Sequence, residues 1–241
     1  MHPSLADSSG IIRYRKSQGG PRLLDLGCGD GERAIALASR SFNHVTGLDG
    51  AKSLIDLAIQ RAVKRRVDVA FVCGDPCATP FASGSFDEVM LLGGLFGHTG
   101  TAESDVMLLR EAGRVLKPGC RLHVGFSDGD WIRANYRTEV MEGLPTGFLY
   151  RHRSLSGDGY SLRTEVLSSS EECGIARQET VIESLYSPRD VTDLLYRLGF
   201  DAITYDAEIG GRASARARLA VPKHVVHCKV GRTGTRLRLV P

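Results

Sequence analysis

The stretch 22–34, RLLDLGCGDGERA, decides the fold: an apolar run leads into glycines at 27, 29 and 31, and a helix start follows. A buried strand, a glycine-rich turn and a helix in this order are typical of α/β domains that bind nucleotides. The dinucleotide pattern G-x-G-x-x-G, counted from Gly27, requires a glycine at position 32, where the chain has Glu32. A phosphate loop is excluded as well, because no Gly-Lys-Ser/Thr follows. The carboxylate of Asp25 at the head of the turn would repel phosphates and would suit a ligand with a cationic amine.

Strand-like and helix-like segments alternate downstream of this turn. Segment 51–66 has the clearest helical pattern, because its apolar residues recur at i, i+3, i+4 and i+7 and form one face. Further helices are predicted from about 32 to 40 and over 103–116, the second ending before KPG because proline and glycine cannot extend it. Short apolar strands are predicted at 22–27, 44–49, 68–75, 86–92 and 121–128. Strands that alternate with helices in this way predict an α/β fold with a doubly wound, mostly parallel Rossmann-like sheet.

Residues 127–186 do not continue the alternation of strands and helices. A helix is predicted over 131–141, and beyond it FLYRHRSLS and YSLRTEVLS flank GDG with alternating side-chain character. That alternation predicts an antiparallel β-hairpin, and ARQETVIESLYS is a candidate third strand. We therefore predict an inserted antiparallel β element at about 142–186.

The α/β rhythm resumes at Ser187, a good N-cap residue, with Pro188 in the first helical turn and Asp190 near the positive end of the helix. Gly199 ends this helix, and DAITYDAE and SARARLAVPKH are predicted as closing strands, which makes seven strands in the sheet. These boundaries give a flexible lead-in at 1–20, a single domain over 21–222 and a basic C-terminal tail over 223–241.

Composition restricts the class of protein. A chain of 241 residues accommodates one α/β domain with an insertion. A net charge of +3, with basic residues scattered until the tail, does not indicate a nucleic-acid partner. The six cysteines form no C-x-x-C pair, so we expect reduced thiols and no metal site. No apolar segment approaches the ~18 residues of a membrane span and the N-terminus lacks a signal-peptide core, so we expect a cytoplasmic protein with no membrane partner.

Four motifs fall at the ends of successive predicted strands: LLDLGCGDG, VTGLDG, CGDP and SFDEVMLLGGLFGH. Together they resemble the motifs of class I S-adenosylmethionine-dependent methyltransferases, and the general look is that of small-molecule, natural-product members. The resemblance covers residues 21–127 closely and 187–222 by architecture. It implies S-adenosyl-L-methionine as the cofactor.

The resemblance also implies roles for single residues. In the family, the acid at the head of the turn lies near the cofactor amino group, an acid such as Asp49 chelates both ribose hydroxyls, and one such as Asp75 accepts from the adenine amino group. Arg33 either meets the cofactor carboxylate or lies in solvent. The implied cofactor-binding residues are Asp25, Gly27, Cys28, Gly29, Gly31, Asp49, Gly50, Asp75, Pro76, Leu92 and Gly93.

The candidates for the transfer step lie just past the fourth and fifth strands. His98, in GGLFGHTG, is the candidate catalytic residue, as a base or an orienting group, with a loop histidine bonded to backbone as the alternative. Asp128 either binds a substrate amine or caps the next helix. Four further candidates for an acceptor pocket under the insert, each with ordinary packing as the alternative, are Trp131, Tyr136, Tyr150 and His152.

These patterns predict a methyltransferase that acts on an N or O atom of a small organic acceptor, with secondary metabolism as the setting. Modification of RNA or protein is the alternative within enzymes, favoured only by the basic tail. The short segment before the first motif motivates another alternative, a non-catalytic cofactor-binding subunit that needs a partner. The inserted β element is a candidate for pairing two copies of the chain.

Overall fold

The computed structural model describes residues 20–40, 44–144, 147–170, 177–207 and 223–231. The predicted lead-in and most of SARARLAVPKH lie outside these ranges. In chain order the elements are β1 (Arg22–Leu26), α1 (Glu32–Arg40), β2 (His44–Asp49), α2 (Lys52–Arg65), β3 (Ala70–Cys73), β4 (Phe86–Leu91), α3 (Ala102–Val115), β5 (Leu116–Ser127), α4 (Gly129–Asn135), β6 (Glu139–Leu144), β7 (Gly147–Leu155), β8 (Ser161–Ser170), β9 (Arg177–Ser184), α5 (Pro188–Arg197), β10 (Phe200–Ala207) and β11 (Lys223–Val230).

Seven strands form one sheet in the order β10-β11-β5-β4-β1-β2-β3. The strands β1 to β5 run parallel to one another, whereas β11 runs antiparallel to both β5 and β10. The predicted doubly wound, mostly parallel sheet is therefore confirmed. Its strand order reverses between β1 and β4, and in open α/β sheets ligands bind at the carboxyl ends of the strands beside such a point.

Helices cover both faces of this sheet. On one face α3 and α5 bury leucines such as Leu108 and Leu195 against the central strands. On the other, α1 and α2 bury Ile35, Ile55 and Ala58 against β1, β2 and β3. The helical spacing of the apolar residues thus predicted most of the buried faces of α2, α3 and α5, although Leu54, at an apolar position of the α2 pattern, is exposed. Ser187 also caps α5 as predicted, and Asp190 completes a reciprocal capping box with it.

The insertion is a second, four-stranded antiparallel sheet in the order β6-β7-β8-β9. The hairpin β7–β8 and the third strand β9 match the sequence prediction. The helix predicted over 131–141 is wrong in its second half, because α4 ends at Asn135 and β6 begins at Glu139. The alternation of Val140 with its neighbours suits a strand that pairs with β7, and this tertiary pairing overrides the local helical pattern.

The predicted start of the C-terminal tail at 223 also needs correction. Residues Lys223–Val230 form β11, which lies inside the sheet between β5 and β10. The alternation of Val226 and Cys228, both buried, with His227 and Lys229 supports this placement. The lysine and histidines between the apolar positions made the segment look like a solvated tail.

Candidate functional site

The turn after β1 lies at the carboxyl edge of the sheet and touches the loop after β4. A Cβ added to Gly93 would lie 2.6 Å from the carbonyl oxygen of Gly27, so the two loops meet backbone to backbone. Gly31 has φ +77°, and a Cβ there would lie 2.7 Å from the Cβ of Ala58, so this glycine lets α1 pack against α2. No heavy atom stands within 4 Å of a Cβ built on Gly29, which leaves open space over the middle of the turn.

Asp25 is fully buried at the head of this turn. Its Oδ1 accepts from Arg33 Nε at 3.0 Å and from Nη2 at 2.6 Å, while its Oδ2 is buried without a hydrogen-bond partner. Burial raises the pKa of Asp25, and the Arg33 cation opposes that rise. A buried carboxylate oxygen without a donor is the arrangement that a ligand amine would satisfy.

The ends of β2 and β3 carry the next two predicted acids. Asp49 accepts the backbone N–H of Gly29 on Oδ2 and that of Ala51 on Oδ1, both at 2.9 Å, and so ties the β1 turn to the start of α2. Each carboxylate oxygen keeps a second lone pair for a hydroxyl donor. Asp75 is exposed, and its Oδ1 accepts from the backbone of Cys77 at 2.8 Å. Gly50 and Pro76 follow these two acids directly in the same strand ends.

The Cys28 side chain points away from the edge. It is buried among the residues that α1 and α2 cover, and burial raises the pKa of its thiol. A contribution of Cys28 to ligand binding would therefore come from its backbone.

The loop after β4 is held by a buried carboxylate that sequence reasoning missed. Asp105 in α3 is fully buried, and its Oδ1 accepts from Gly97 N at 2.9 Å and from Thr99 Oγ1 at 2.8 Å. Its Oδ2 accepts from the Tyr186 hydroxyl at 3.0 Å. Three donors on one carboxylate fix the residues on either side of His98.

His98 stands where two cavities adjoin. One, of about 450 Å³, is the edge cavity; it lies at the carboxyl ends of β4 and β5 and is lined by Leu92 and Gly93. The other, of about 360 Å³, is the insert cavity, which lies between α4 and the inserted sheet. His98 and Ser127 line both. The position of His98 therefore connects the strand ends with the space under the insert.

A second carboxylate faces His98 from the inserted sheet. Glu183 Oε1 on β9 lies 3.7 Å from His98 Nε2, and the backbone N–H of Ser184 donates to Gly97 O at 2.6 Å. The two side chains therefore face each other where the main sheet and the insert meet. Glu183 could not be identified from the sequence, because its partner lies 85 positions away along the chain, in a loop of the main sheet.

Asp128 does cap α4, as the helix-cap alternative predicted. Its Oδ1 accepts from Asp130 N at 3.0 Å and from Trp131 N at 3.1 Å. Its Oδ2 lies 3.0 Å from Nε2 of His224, the histidine at the start of β11. Burial opposes ionisation, but the hydrogen bonds from His224 and Trp131 outweigh it and hold the pKa of Asp128 below its usual range. His224 also lines the edge cavity, and it was missed because its segment was assigned to the tail.

The predicted acceptor-pocket residues divide into two groups. Trp131 and Tyr136 line the insert cavity. Tyr150 and His152 do not, because successive strand residues face opposite sides and Arg153, their neighbour on β7, is the residue that faces the cavity. The structure thus places two of the four predicted residues, Trp131 and Tyr136, in this cavity. The predicted pairing of two copies through the insert stays a prediction.

Two absences hold for the described part of the chain. No helix there is both long and apolar enough to cross a membrane. Among the same residues, no group of three or more histidine, cysteine, aspartate or glutamate side chains is arranged to hold a metal ion.

Comparison with known families agrees with this geometry. Residues 23–119 match a family described as a methyltransferase domain. That region includes the β1 turn, the ends of β2 and β3, and the loop that carries His98.

Curated relatives match over less than half of the chain. The 27-O-demethylrifamycin SV methyltransferase of Amycolatopsis mediterranei is 39% identical over 108 residues, which are 44% of this chain and 38% of that protein. The demethylmenaquinone methyltransferase of Thermus thermophilus is 38% identical over 104 residues, 43% of this chain and 46% of that protein. The chain thus matches less than half of the length of either relative.

Among solved structures, the CcbJ methyltransferase of Streptomyces caelestis superposes with a TM-score of 0.72 at 16% identity, covering 88% of this chain and 84% of that one. At that identity the likeness shows the fold.

Proposed function

We propose that this chain, whose residues 23–119 match a methyltransferase-domain family, is a class I S-adenosylmethionine-dependent methyltransferase that methylates an N or O atom of a small organic acceptor. The observation that carries the proposal is the position of His98, which lines both the edge cavity and the insert cavity. A donor held at the strand ends and an acceptor held under the insert would meet at this residue. An insert cavity of about 360 Å³ has the size of small-molecule sites.

The residues at the strand ends fit the cofactor. Asp25 Oδ2, buried and without a donor, would accept from the amino group of the methionine portion. Asp49 would accept from the ribose hydroxyls with the lone pairs that Gly29 and Ala51 leave available. Asp75 is exposed at the next strand end, where an adenine amino group would reach it. When bound, S-adenosyl-L-methionine supplies a methyl group on a positively charged sulfur.

His98 acts on the proton of the acceptor in this proposal. Its Nε2 accepts the proton that an acceptor hydroxyl or protonated amine loses, and Glu183 at 3.7 Å stabilises the resulting imidazolium. Asp105 positions the histidine through Gly97 and Thr99. An acceptor whose nucleophile is already unprotonated would need positioning alone.

A role in secondary metabolism is part of the proposal, supported by the relative named for 27-O-demethylrifamycin SV. Modification of RNA or protein is less well supported, because residues 223–230 of the basic tail that favoured it form β11 within the sheet.

Two measurements test the function. Calorimetric titration with S-adenosylhomocysteine should give binding that Asp49→Ala weakens by at least about tenfold, since hydrogen bonds to a charged group are lost. Asp49→Asn is the companion variant, because it keeps one acceptor for the turn. Unchanged affinity in both variants would reject the site.

Methyl transfer is then followed with radiolabelled cofactor and a panel of phenols, amines and hydroxy acids. His98→Ala should lower turnover by about 100-fold or more with little change in cofactor affinity. His152→Ala is the matched control, because it removes a histidine from the opposite side of the insert. Equal turnover in the wild type and His98→Ala would remove His98 from the mechanism. A chain that binds the cofactor but transfers methyl only with a second protein would instead support the cofactor-binding subunit.

A further inference from the structure

Two arginines line the insert cavity: Arg137 is exposed, whereas Arg153 is half-buried and has no counter-ion among the residues that the structure describes. Arg153 on β7 lines the cavity, and its Nε is buried without a hydrogen-bond partner. Among the residues that the structure describes, no carboxylate lies within ion-pair distance of its guanidinium. Burial of a guanidinium without an anion is costly, since this side chain stays protonated.

The neighbouring arginine of the same strand, Arg151, does have a counter-ion. Arg151 stands two residues earlier on the same strand and therefore on the same face of the insert. Its Nη1 is 2.9 Å from Glu142 Oε2 on β6, so that arginine is paired. Arg153 lies opposite Thr138 and Thr164 instead, and neither side chain carries a charge.

The carboxylate of Glu183 does not serve as the counter-ion of Arg153. Glu183 lines the same cavity, but its carboxylate faces His98 at 3.7 Å. Burial, together with the neighbouring Arg151 cation, lowers the pKa of Arg153, and Glu183 offsets this only in part. An anion beside Arg153 would relieve both unfavourable contributions.

We propose that Arg153 forms an oxyanion subsite in the insert cavity and that the acceptor is an organic acid whose carboxylate binds there. The inference rests on the proposed function, since it names the class of its acceptor. A planar carboxylate matches the two parallel N–H donors of a guanidinium better than a single point charge does. Trp131, Tyr136 and Leu162 supply apolar walls for the carbon skeleton.

The opposite charges of Glu183 and Arg153 also orient the acceptor. Glu183 repels a carboxylate from the His98 end of the cavity, whereas Arg153 attracts it. The carboxylate is therefore held away from the strand ends, and the hydroxyl or amine to be methylated points at His98. The subsite predicts methylation at a group other than the carboxylate itself.

Trp131 makes the subsite measurable without cofactor or turnover, because it is the only tryptophan of the chain and lines the same cavity. Iodide is the probe, and acrylamide is its neutral counterpart. The ratio of the iodide to the acrylamide quenching constant of Trp131 should fall about twofold to threefold in Arg153→Gln. This is the change in local iodide concentration that the loss of one screened charge several ångströms away would produce. Arg151→Gln removes a paired arginine from the same strand and should leave the ratio near the wild-type value.

A fall of equal size in both variants, or no fall in Arg153→Gln, overturns the subsite. Arg153→Lys keeps the positive charge and should keep the wild-type ratio. Should Arg153→Gln fail to fold, Arg153→Met is the second neutral variant, and Arg153→Lys provides the comparison within a folded protein.

Ligand selectivity is measured with 4-hydroxyphenylacetate and 4-hydroxyphenylacetamide, which have the same shape and differ in charge. On protein saturated with S-adenosylhomocysteine, the acid should bind about tenfold tighter than the amide, and Arg153→Gln should abolish the difference. Equal affinity, or absence of acid binding, counts against the proposal.

The iodide experiment distinguishes failure of the subsite from failure of the proposed function. An Arg153-dependent quenching ratio in a protein that never binds S-adenosylhomocysteine rejects the proposed function alone. Methyl transfer with no Arg153 dependence rejects the subsite alone.

Discussion

Asp128 and His224 join the end of β5 to the start of β11, with Asp128 Oδ2 and His224 Nε2 3.0 Å apart. The other oxygen of the same carboxylate caps α4. The Asp128 side chain therefore links the start of α4, the end of β5 and His224, which lines the edge cavity.

This pair predicts a pH-dependent contribution to stability. Because the pKa of Asp128 is lower in the folded than in the unfolded protein, its contribution is fully present above the unfolded value of about 3.9 and is lost as the pH falls through the folded value. Asp128→Asn should therefore lower the free energy of unfolding at neutral pH, and the difference from the wild type should shrink in acid. Asparagine keeps the N-cap, which isolates the effect of the charge.

Urea denaturation at a series of pH values measures this difference. Asp130→Asn is the control, because Asp130 is exposed and pairs with Arg133 on the helix surface. A difference between wild type and Asp128→Asn that does not change between neutral pH and acid would contradict the assignment.

The buried carboxylate under the His98 loop should be a major stability determinant. Asp105→Ala leaves three donors without an acceptor and should cost about 2–4 kcal/mol of unfolding free energy. Tyr186→Phe removes one of the three hydrogen bonds and should cost about 1 kcal/mol. Glu103→Gln, a change on the exposed first turn of α3, is the control and should be nearly neutral. Chemical denaturation checks all three, and an Asp105→Ala protein as stable as this control would show that the network contributes little.

Contact between the β1 turn and the β4 loop should make Gly93 intolerant of a side chain. In Gly93→Ala the new methyl group would lie 2.6 Å from Gly27 O, so the two loops must separate. Affinity for S-adenosylhomocysteine should fall at least about tenfold, while the fold persists. Gly143→Ala on β6 is the matched control, since open space surrounds a Cβ there. Wild-type affinity in Gly93→Ala would mean that the loops adjust freely.

Cysteine labelling offers a test of the β3 end. Cys73 is exposed beside the predicted adenine site, whereas burial raises the pKa of Cys28 and brings that of Cys228 to about 12. Since the thiolate is the nucleophile, iodoacetamide should modify Cys73 well before Cys28 or Cys228. S-adenosylhomocysteine should slow the reaction at Cys73, as peptide mass spectrometry would show. Labelling of Cys73 that S-adenosylhomocysteine leaves unchanged would place the adenine elsewhere.

The main sheet and the residues at its strand ends could be predicted from the sequence because their signals are local. Helical spacing fixed the buried faces of α2, α3 and α5, and each strand-end acid follows its own strand directly. The same locality explains why Ser187 and Gly199 marked the limits of α5 correctly.

The rest depended on contacts between distant segments. Glu183 reaches His98 and His224 reaches Asp128 only after the two sheets have formed. In the sequence, Asp105 is an ordinary acidic residue in the first turn of a helix, and only the structure shows its three donors. Strand β11 was missed because alternation with lysine and histidine is weak evidence without the partner strands on both sides.

The position of β11 has a consequence for how the protein is made. Strands β1 to β4 can pair in order as they leave the ribosome, but β5 and β10 are joined only by a strand that is synthesised after both. The nascent chain therefore carries an open gap in its sheet, with two unpaired edges, until residue 230 has emerged. Closure of that gap also brings His224 to Asp128, so the pairing of β11 closes the main sheet and supplies one wall of the edge cavity in the same event.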